Sequence, residues 1–221
     1  MARHTLSEAQ EDYLKHILKL SEFNDQVSTQ ALARELEVKP ASVTGMLKKL
    51  AEVNLVRYKP YKGVELTEAG KKIALEILRH HRLLELYLAD VLNYSWDEIH
   101  EEAERLEHVI SEKFEARIAE QLGHPTHDPH GDPIPNVDLQ YPDDPNLIPL
   151  AMLKPEQSGS IKRVITQDSD ALNLLSRLNL KIDAHLKVLT SENEAVRVQT
   201  DEDRFLLPNS LARHLLILPD K

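Results

Sequence analysis

The 221-residue sequence has no cysteine. That excludes a disulfide framework, a thiolate metal site and a cysteine nucleophile. It has no apolar run of membrane-spanning length. Its N-terminus, Met1-Ala2-Arg3-His4, leads straight into an amphipathic pattern with no apolar secretory core. The expectation is a cytoplasmic chain with no membrane partner. Internal repeats and low-complexity tracts are absent as well. A basic excess is also missing, since the formal net charge is -10, and taken alone that argues against a nucleic-acid partner.

The distribution of charge argues otherwise. Residues 1–75 carry 12 basic and 10 acidic side chains, residues 76–146 carry 5 and 17, and residues 147–221 carry 10 and 10. The first segment can hold a basic face locally, and local potential guides docking on DNA. The acidic middle segment also holds seven of the eleven histidines, and acid with histidine is what a cation site needs. At 41% hydrophobic, the chain is globular in composition and long enough for two or three compact domains.

Ser7-Glu8-Ala9-Gln10 has capping-box spacing and predicts a helix to about Ser21, with Tyr13, Leu14, Ile17, Leu18 and Leu20 on its apolar face. Thr29–Glu37 and Pro40–Val53 predict a second and third helix, the latter with proline in its first turn. Val56–Lys59 and Gly63–Leu66 read as two strands around a turn. Thr67 can cap a long helix to about Leu92. A capping box at Ser95-Trp96-Asp97-Glu98 predicts one helix to about Gly123. Residues 123–149 hold seven of the twelve prolines and read as a linker. Short strands at Ile161–Ile165, Leu186–Leu189, Ala195–Gln199, Arg204–Leu207 and Leu215–Leu218, with a helix at Asp170–Leu178, predict a small β-barrel.

The order helix, helix, turn, helix, two-stranded wing is that of a winged helix-turn-helix. The third helix would present Lys39, Ser42, Thr44 and Gly45 to base edges. Lys48 and Lys49 lie farther along it, and the wing carries Arg57, Lys59 and Lys62, all suited to phosphates. The plainer reading is a helical packing module whose lysines serve solubility. Farther along, His81 and Glu85 are four apart, and His100, Glu104, Glu107 and His108 follow. On one continuous helix His100, Glu104 and His108 form a row, with Glu107 beside Glu104. The apolar row Ile99, Ala103, Leu106, Ile110 and Phe114 runs alongside. Imidazole and carboxylate at this spacing suit a divalent transition metal. Glu and His also recur on exposed acidic helices, so spacing alone leaves the metal open.

The chain resembles the diphtheria-toxin-repressor family, especially its manganese-responsive branch. The resemblance is carried by Glu11-Asp12-Tyr13-Leu14, Pro40-Ala41-Ser42-Val43-Thr44, His81-Arg82-Leu83-Leu84-Glu85, the run from His100 to His108, and Gly131-Asp132-Pro133-Ile134-Pro135. It implies a mainly α fold with β, in three parts: a winged helix-turn-helix over 1–72, a helical metal-binding and dimerisation domain with its Pro-rich linker over 73–146, and an SH3-like domain over 147–221. It implies a homodimer that binds a double-stranded DNA operator when metal is bound and represses metal-uptake genes. The primary metal site would use Asp12, Glu104, Glu107 and His108. The ancillary site would use His81, Glu85 and His100, completed by Gln167 and Asp170.

Iron-type members present methionine where this chain has Asp12 and cysteine where it has Glu104, so oxygen in both places favours Mn²⁺. Fe²⁺ is the alternative, with Zn²⁺, Co²⁺ or Cd²⁺ as surrogates. Lys15 stands where short manganese regulators have a further glutamate, which argues against their binuclear site. The family's anion-binding corner pairs an arginine, matched by Arg82, with polar linker residues. Asp128 and Asp132 stand there, which disfavours an anion. Two other readings compete: a metal-dependent hydrolase, and a winged-helix regulator that uses no metal.

Overall fold

The first helix, α1 (Glu8–Ser21), starts where the Ser7 N–H donates to Gln10 Oε1 at 3.0 Å, one half of the expected capping box. In the computed structural model, residues 6–22, 26–143, 146–166, 168–192, 194–201 and 203–220 are described. They divide into two units, Met1–His81 with Glu107–Ile110 and Pro135–Gln140, and Arg82–Leu106 with Ser111–Ile134 and Tyr141–Lys221.

In the first unit α1 is followed by α2 (Thr29–Glu35) and α3 (Pro40–Glu52). Ser28 Oγ accepts from the Ala31 N–H at 3.0 Å and caps α2, and Pro40 opens α3. Leu14, Ile17, Leu32, Val43, Leu47 and Leu50 are fully buried between them. Each such side chain is worth about 1.5–3 kcal/mol of burial. The strands β1 (Val56–Lys59) and β2 (Gly63–Leu66) pair antiparallel, Val56 opposite Leu66 and Lys59 opposite Gly63. Val64 N–H also donates to Val27 O at 2.9 Å. Helix α4 (Glu68–Asp90) begins where Thr67 Oγ1 accepts from the Gly70 N–H at 3.1 Å. Gly70 is required there, because a Cβ would lie 2.0 Å from Leu55 O. The three-helix head and its wing follow the sequence expectation closely.

The first part of α4 belongs to this unit and its last residues, from Arg82, to the second. The second unit continues with α5 (Ile99–Leu106) and α6 (Glu112–Gln121). The single helix expected from Ser95 to Gly123 is therefore two helices with a break between them. The Ser95–Glu98 pair forms, with the Ser95 N–H 3.1 Å from Glu98 Oε2, but the helix starts only at Ile99. Ser111 then caps α6 by accepting from the Phe114 N–H at 3.3 Å, competing with helix continuation. Phe114, expected on the apolar row, is 49% exposed.

Beyond the linker, β3 (Ile148–Pro149) leads through a 3-10 turn (Leu150–Met152) to β4 (Ser158–Val164), α7 (Ser169–Arg177), β5 (His185–Ser191), β6 (Ala195–Gln199), β7 (Arg204–Pro208), α8 (Asn209–Ala212) and β8 (Leu215–Pro219). The strands form one antiparallel sheet in the order β3-β8-β4-β5-β6-β7. Register shifts after Ile161 and Val188 mark bulges that add local twist. Ile161, Leu186, Val188, Val196, Val198, Leu207 and Ile217 of the strands and Leu175 of α7 share one buried core. β3 and α8 are additions to the sequence expectation. Among the described residues, no helix is long and apolar enough to cross a membrane.

Candidate metal centre and nucleic-acid interface

Helix α1 places Glu11, Asp12 and Lys15 on neighbouring turns, and the break after α5 brings Glu107 and His108 to them within the first unit. Asp12, Glu107 and His108 each offer a donor atom, all within 4.8 Å of one another. His108 Nε2 lies 2.9 Å from Asp12 Oδ1 and 3.4 Å from Glu107 Oε1, and Nδ1 lies 2.7 Å from Glu11 Oε2. Both ring nitrogens face carboxylates, so the ring is an imidazolium. Burial pulls its pKa down, but hydrogen bonds to Asp12 and Glu11 and the charges of Glu107 and Asp12 push it up to about 10.

Glu107 is fully buried and doubly held. Lys15 Nζ donates to Oε1 at 2.6 Å, and His81 Nδ1 lies 2.5 Å from Oε2. His80, itself buried, places Nδ1 3.2 Å from the Glu107 carbonyl oxygen, which holds the backbone where the helix has ended. Glu11 and His80 are polar neighbours of the centre absent from the sequence reading of it, and Lys15, read there only as disfavouring a binuclear site, is the ion-pair partner of Glu107. Glu11 stands next to Asp12, and Lys15 one turn on, which is the signal that helical spacing carried.

A second constellation lies in the second unit. Glu85, Asp128 and His130 are all buried and offer donor atoms within 4.8 Å of one another. Asp128 Oδ1 accepts from the N–H groups of His130 at 2.8 Å and Asp132 at 2.9 Å. Asp128 Oδ2 and His130 Nε2 are buried without a hydrogen-bond partner. Such orphaned atoms are costly, and a cation would satisfy them. Burial, Asp132 and Glu85 hold the Asp128 carboxyl well above the usual carboxylate range, against the opposing pull of Arg82 and the Asp132 N–H. The Trp96 ring lies 5.2 Å from that of His130.

Glu85 Oε1 is 3.1 Å from His100 Nδ1, and His100 Nε2 is 3.7 Å from Glu104 Oε1. Of the residues expected at the ancillary site, Glu85 and His100 are thus together, and His81 Nδ1 is hydrogen-bonded to Glu107 Oε2. Asp170 is exposed in the first turn of α7, and Gln167 lies outside the described residues. Asp128 and His130 were not read as ligands. The signal was the tract His127-Asp128-Pro129-His130-Gly131-Asp132 inside the linker. Arg82 reaches Asp128 at 3.9 Å and Asp132 at 3.8 Å, and Arg163 donates to Asp132. These carboxylates occupy the corner where an anion was disfavoured.

Lys39 at the N-cap of α3 and Ser42, Gly45, Lys48 and Lys49 on the helix are exposed, and Thr44 is half-buried, its hydroxyl donating to Pro40 O at 3.0 Å. A Cβ at Gly45 would meet nothing within 4 Å, so this face is open. In the wing Arg57, Lys59 and Lys62 are exposed, and with Gln26, Gly63 and Glu65 they line a cavity of about 250 Å³. The lysines and arginine stand on one helix and the adjoining hairpin, as phosphate contacts require.

Residues 5–64 match the family described as iron dependent repressor, N-terminal DNA binding domain, and residues 67–136 match iron dependent repressor, metal binding and dimerisation domain. Residues 148–219 match the FeoA domain. The iron-dependent repressor IdeR of Mycobacterium tuberculosis is 31% identical over 222 residues, 94% of this chain and 95% of that protein. The chain belongs to the diphtheria-toxin-repressor family. It is accordingly a metal-dependent, DNA-binding transcriptional regulator, with a winged helix-turn-helix, a helical segment and an SH3-like β-sheet domain. Among solved structures it is similar to a manganese-dependent transcriptional repressor in complex with manganese. That match has TM-score 0.88 and 35% identity, and covers 95% of this chain and 99% of that one. The crystal structure of ScaR with bound Cd²⁺ matches with TM-score 0.79 and 30% identity, covering 96% and 99%.

Proposed function

We propose that this regulator is a manganese-responsive repressor that binds its operator as a homodimer, and that Asp12, Glu107 and His108 hold the activating ion. The observation that carries this reading is the convergence of those three donors within 4.8 Å. Their chemistry, two carboxylates and one imidazole in a chain without cysteine, fits a hard to borderline divalent ion. Asp12 offers oxygen where the iron-type pattern has sulfur, and the similarity to a manganese-bound repressor supports the same choice. A second ion would be held by Glu85, Asp128 and His130, where Asp128 Oδ2 and His130 Nε2 are buried without a hydrogen-bond partner. Glu85 is common to this set and to the expected ancillary set, and Asp128 and His130 are added to it.

When bound, the ion would supply the positive charge that the His108 Nε2 proton otherwise brings to the Asp12 and Glu107 carboxylates. Glu11 orients the donor ring. It holds His108 Nδ1–H and leaves Nε2 facing Asp12 and Glu107, which fixes the tautomer that can ligate. His108 must first release its Nε2 proton. Asp12 stands on α1 of the DNA-binding head, so its carboxylate links occupancy to the head. An arrangement that holds metal better is populated by metal.

The test is operator affinity by fluorescence anisotropy with its own upstream region, with saturating Mn²⁺ and with chelator. Metal is expected to tighten binding at least about tenfold, which needs about 1.4 kcal/mol of coupling. Equal affinity in the two conditions overturns the proposal. Turnover of a phosphoester without metal-triggered DNA binding would favour the hydrolase reading instead.

A further inference from the structure

Lys15 is 1% exposed and its ammonium donates to Glu107, which is fully buried, at 2.6 Å. A lysine is almost never buried to this degree unless paired. Here its carboxylate partner is also one of the three donors of the candidate metal centre. The other Glu107 oxygen faces His81. Glu11, Asp12 and Glu107 thus converge on one ammonium and one imidazolium, those of Lys15 and His108.

We propose that Lys15 is the resident counter-cation of this centre: its ammonium holds Glu107 in the metal-free chain, and its competition with the metal for that carboxylate sets the metal concentration at which the centre fills. The inference rests on the reading of Asp12, Glu107 and His108 as the metal ligands. Two effects act in the same direction. In the metal-free chain the ammonium stabilises Glu107 and its neighbours, so binding must overcome that stabilisation. In the loaded chain an ammonium beside a ligand carboxylate repels the metal ion, and charges at such distances inside a protein interact strongly. Lys15 therefore raises the threshold for loading while keeping the empty centre folded. Its role is positioning and tuning, since it has no lone pair to offer while protonated.

The experiment measures Mn²⁺ binding by the full chain directly, from the electron paramagnetic resonance signal of free Mn²⁺, for wild type, Lys15→Met, Lys15→Gln, Lys15→Arg and His108→Ala. The Met and Gln variants are expected to bind at about tenfold lower free Mn²⁺, to unfold at lower temperature in chelator, and to gain more than wild type when Mn²⁺ is added. Lys15→Arg, which keeps the charge, is expected to stay near wild type. Unchanged or weaker Mn²⁺ binding by Lys15→Met and Lys15→Gln, with a bound equivalent lost in His108→Ala, overturns the role of Lys15 alone. Wild-type Mn²⁺ binding that His108→Ala leaves intact overturns the ligand assignment beneath it. A measurement on the unmutated chain guards against variants that do not fold. The Lys15 ammonium resonance should be protected from solvent exchange in chelator and lose that protection on addition of Cd²⁺, and a resonance unchanged by Cd²⁺ overturns the proposal.

Discussion

Replacing Glu107 by Gln tests the centre without any metal. The side chain is fully buried, Lys15 beside it is 1% exposed, and their charges meet at 2.6 Å. Removing one partner of such a pair leaves the other charge without its counter-ion in a site water does not reach, which costs about 3–5 kcal/mol. For a chain of this size each kcal/mol moves the melting temperature by about 2–4 °C, so a fall of about 6–20 °C is expected in chelator. Lys15→Met should cost less, because Glu107 keeps His81 at 2.5 Å on its other oxygen. The double variant Lys15→Met, Glu107→Leu should return toward wild type, since two apolar groups of similar volume satisfy each other. Urea unfolding followed by far-ultraviolet circular dichroism measures the loss. The fluorescence of Trp96, the only tryptophan and part of the second unit, reports separately on that unit. A loss below about 1 kcal/mol for Glu107→Gln, or a double variant no more stable than that single one, would refute the reasoning, because a coupled pair must be non-additive.

The pKa of His108, raised to about 10 from 6.5, has a signed consequence. Its ion pairs stabilise the metal-free chain fully below about pH 6.5, and that stability is lost as pH rises through about 10. Over the same window Mn²⁺ affinity should rise about tenfold per pH unit, because ligation expels one proton. Calorimetry at pH 7.5 in two buffers of different ionisation heat should find that proton in wild type, and finding none would contradict the assignment. The Asp128 pKa is raised by burial and by Asp132 and Glu85, so ionising it costs the metal-free chain more as pH rises above the ordinary carboxylate range. Asp128→Asn should therefore raise the melting temperature in chelator at neutral pH and lose one bound Mn²⁺ per chain. A lower melting temperature with unchanged stoichiometry would count against the second site.

Much of the fold was legible because its signals are local. Proline at 40, the hydroxyl at Thr67 and the alternation in Val56–Lys59 and Gly63–Leu66 each act within a few residues, and the observed elements follow them. The donor types were legible for a similar reason, since His and Glu at spacings of three and four stand out in an acidic segment. The second constellation was harder. Asp128 and His130 sit in a proline-rich stretch with no period. Their burial depends on a tight turn in which Gly131 has φ +80 and its Cα lies so close to β4 that a Cβ would meet Lys162 O at 2.0 Å. No window of sequence contains both halves of that contact.

The break between α5 and α6 shows why site geometry escapes a periodicity argument even where its residues do not. A continuous helix through His108 keeps His100, Glu104 and His108 in one row, and local preference hardly opposes it. Glu, His, Val, Ile and Ser differ in helix propensity by a few tenths of a kcal/mol, and β-branched Val109 and Ile110 only weaken the case. Two small contacts decide against continuation. Ser111 accepts the Phe114 N–H and begins a new helix, while His80 engages the Glu107 carbonyl that a continuing helix would give to residue 111. His80 is 27 residues away in sequence, so this contact is tertiary. Its result is that Glu107 and His108 leave the row and meet Glu11, Asp12 and Lys15 of α1. The same residues on an unbroken helix would have stayed on one helix face, and the break sets them beside Glu11 and Asp12 of α1.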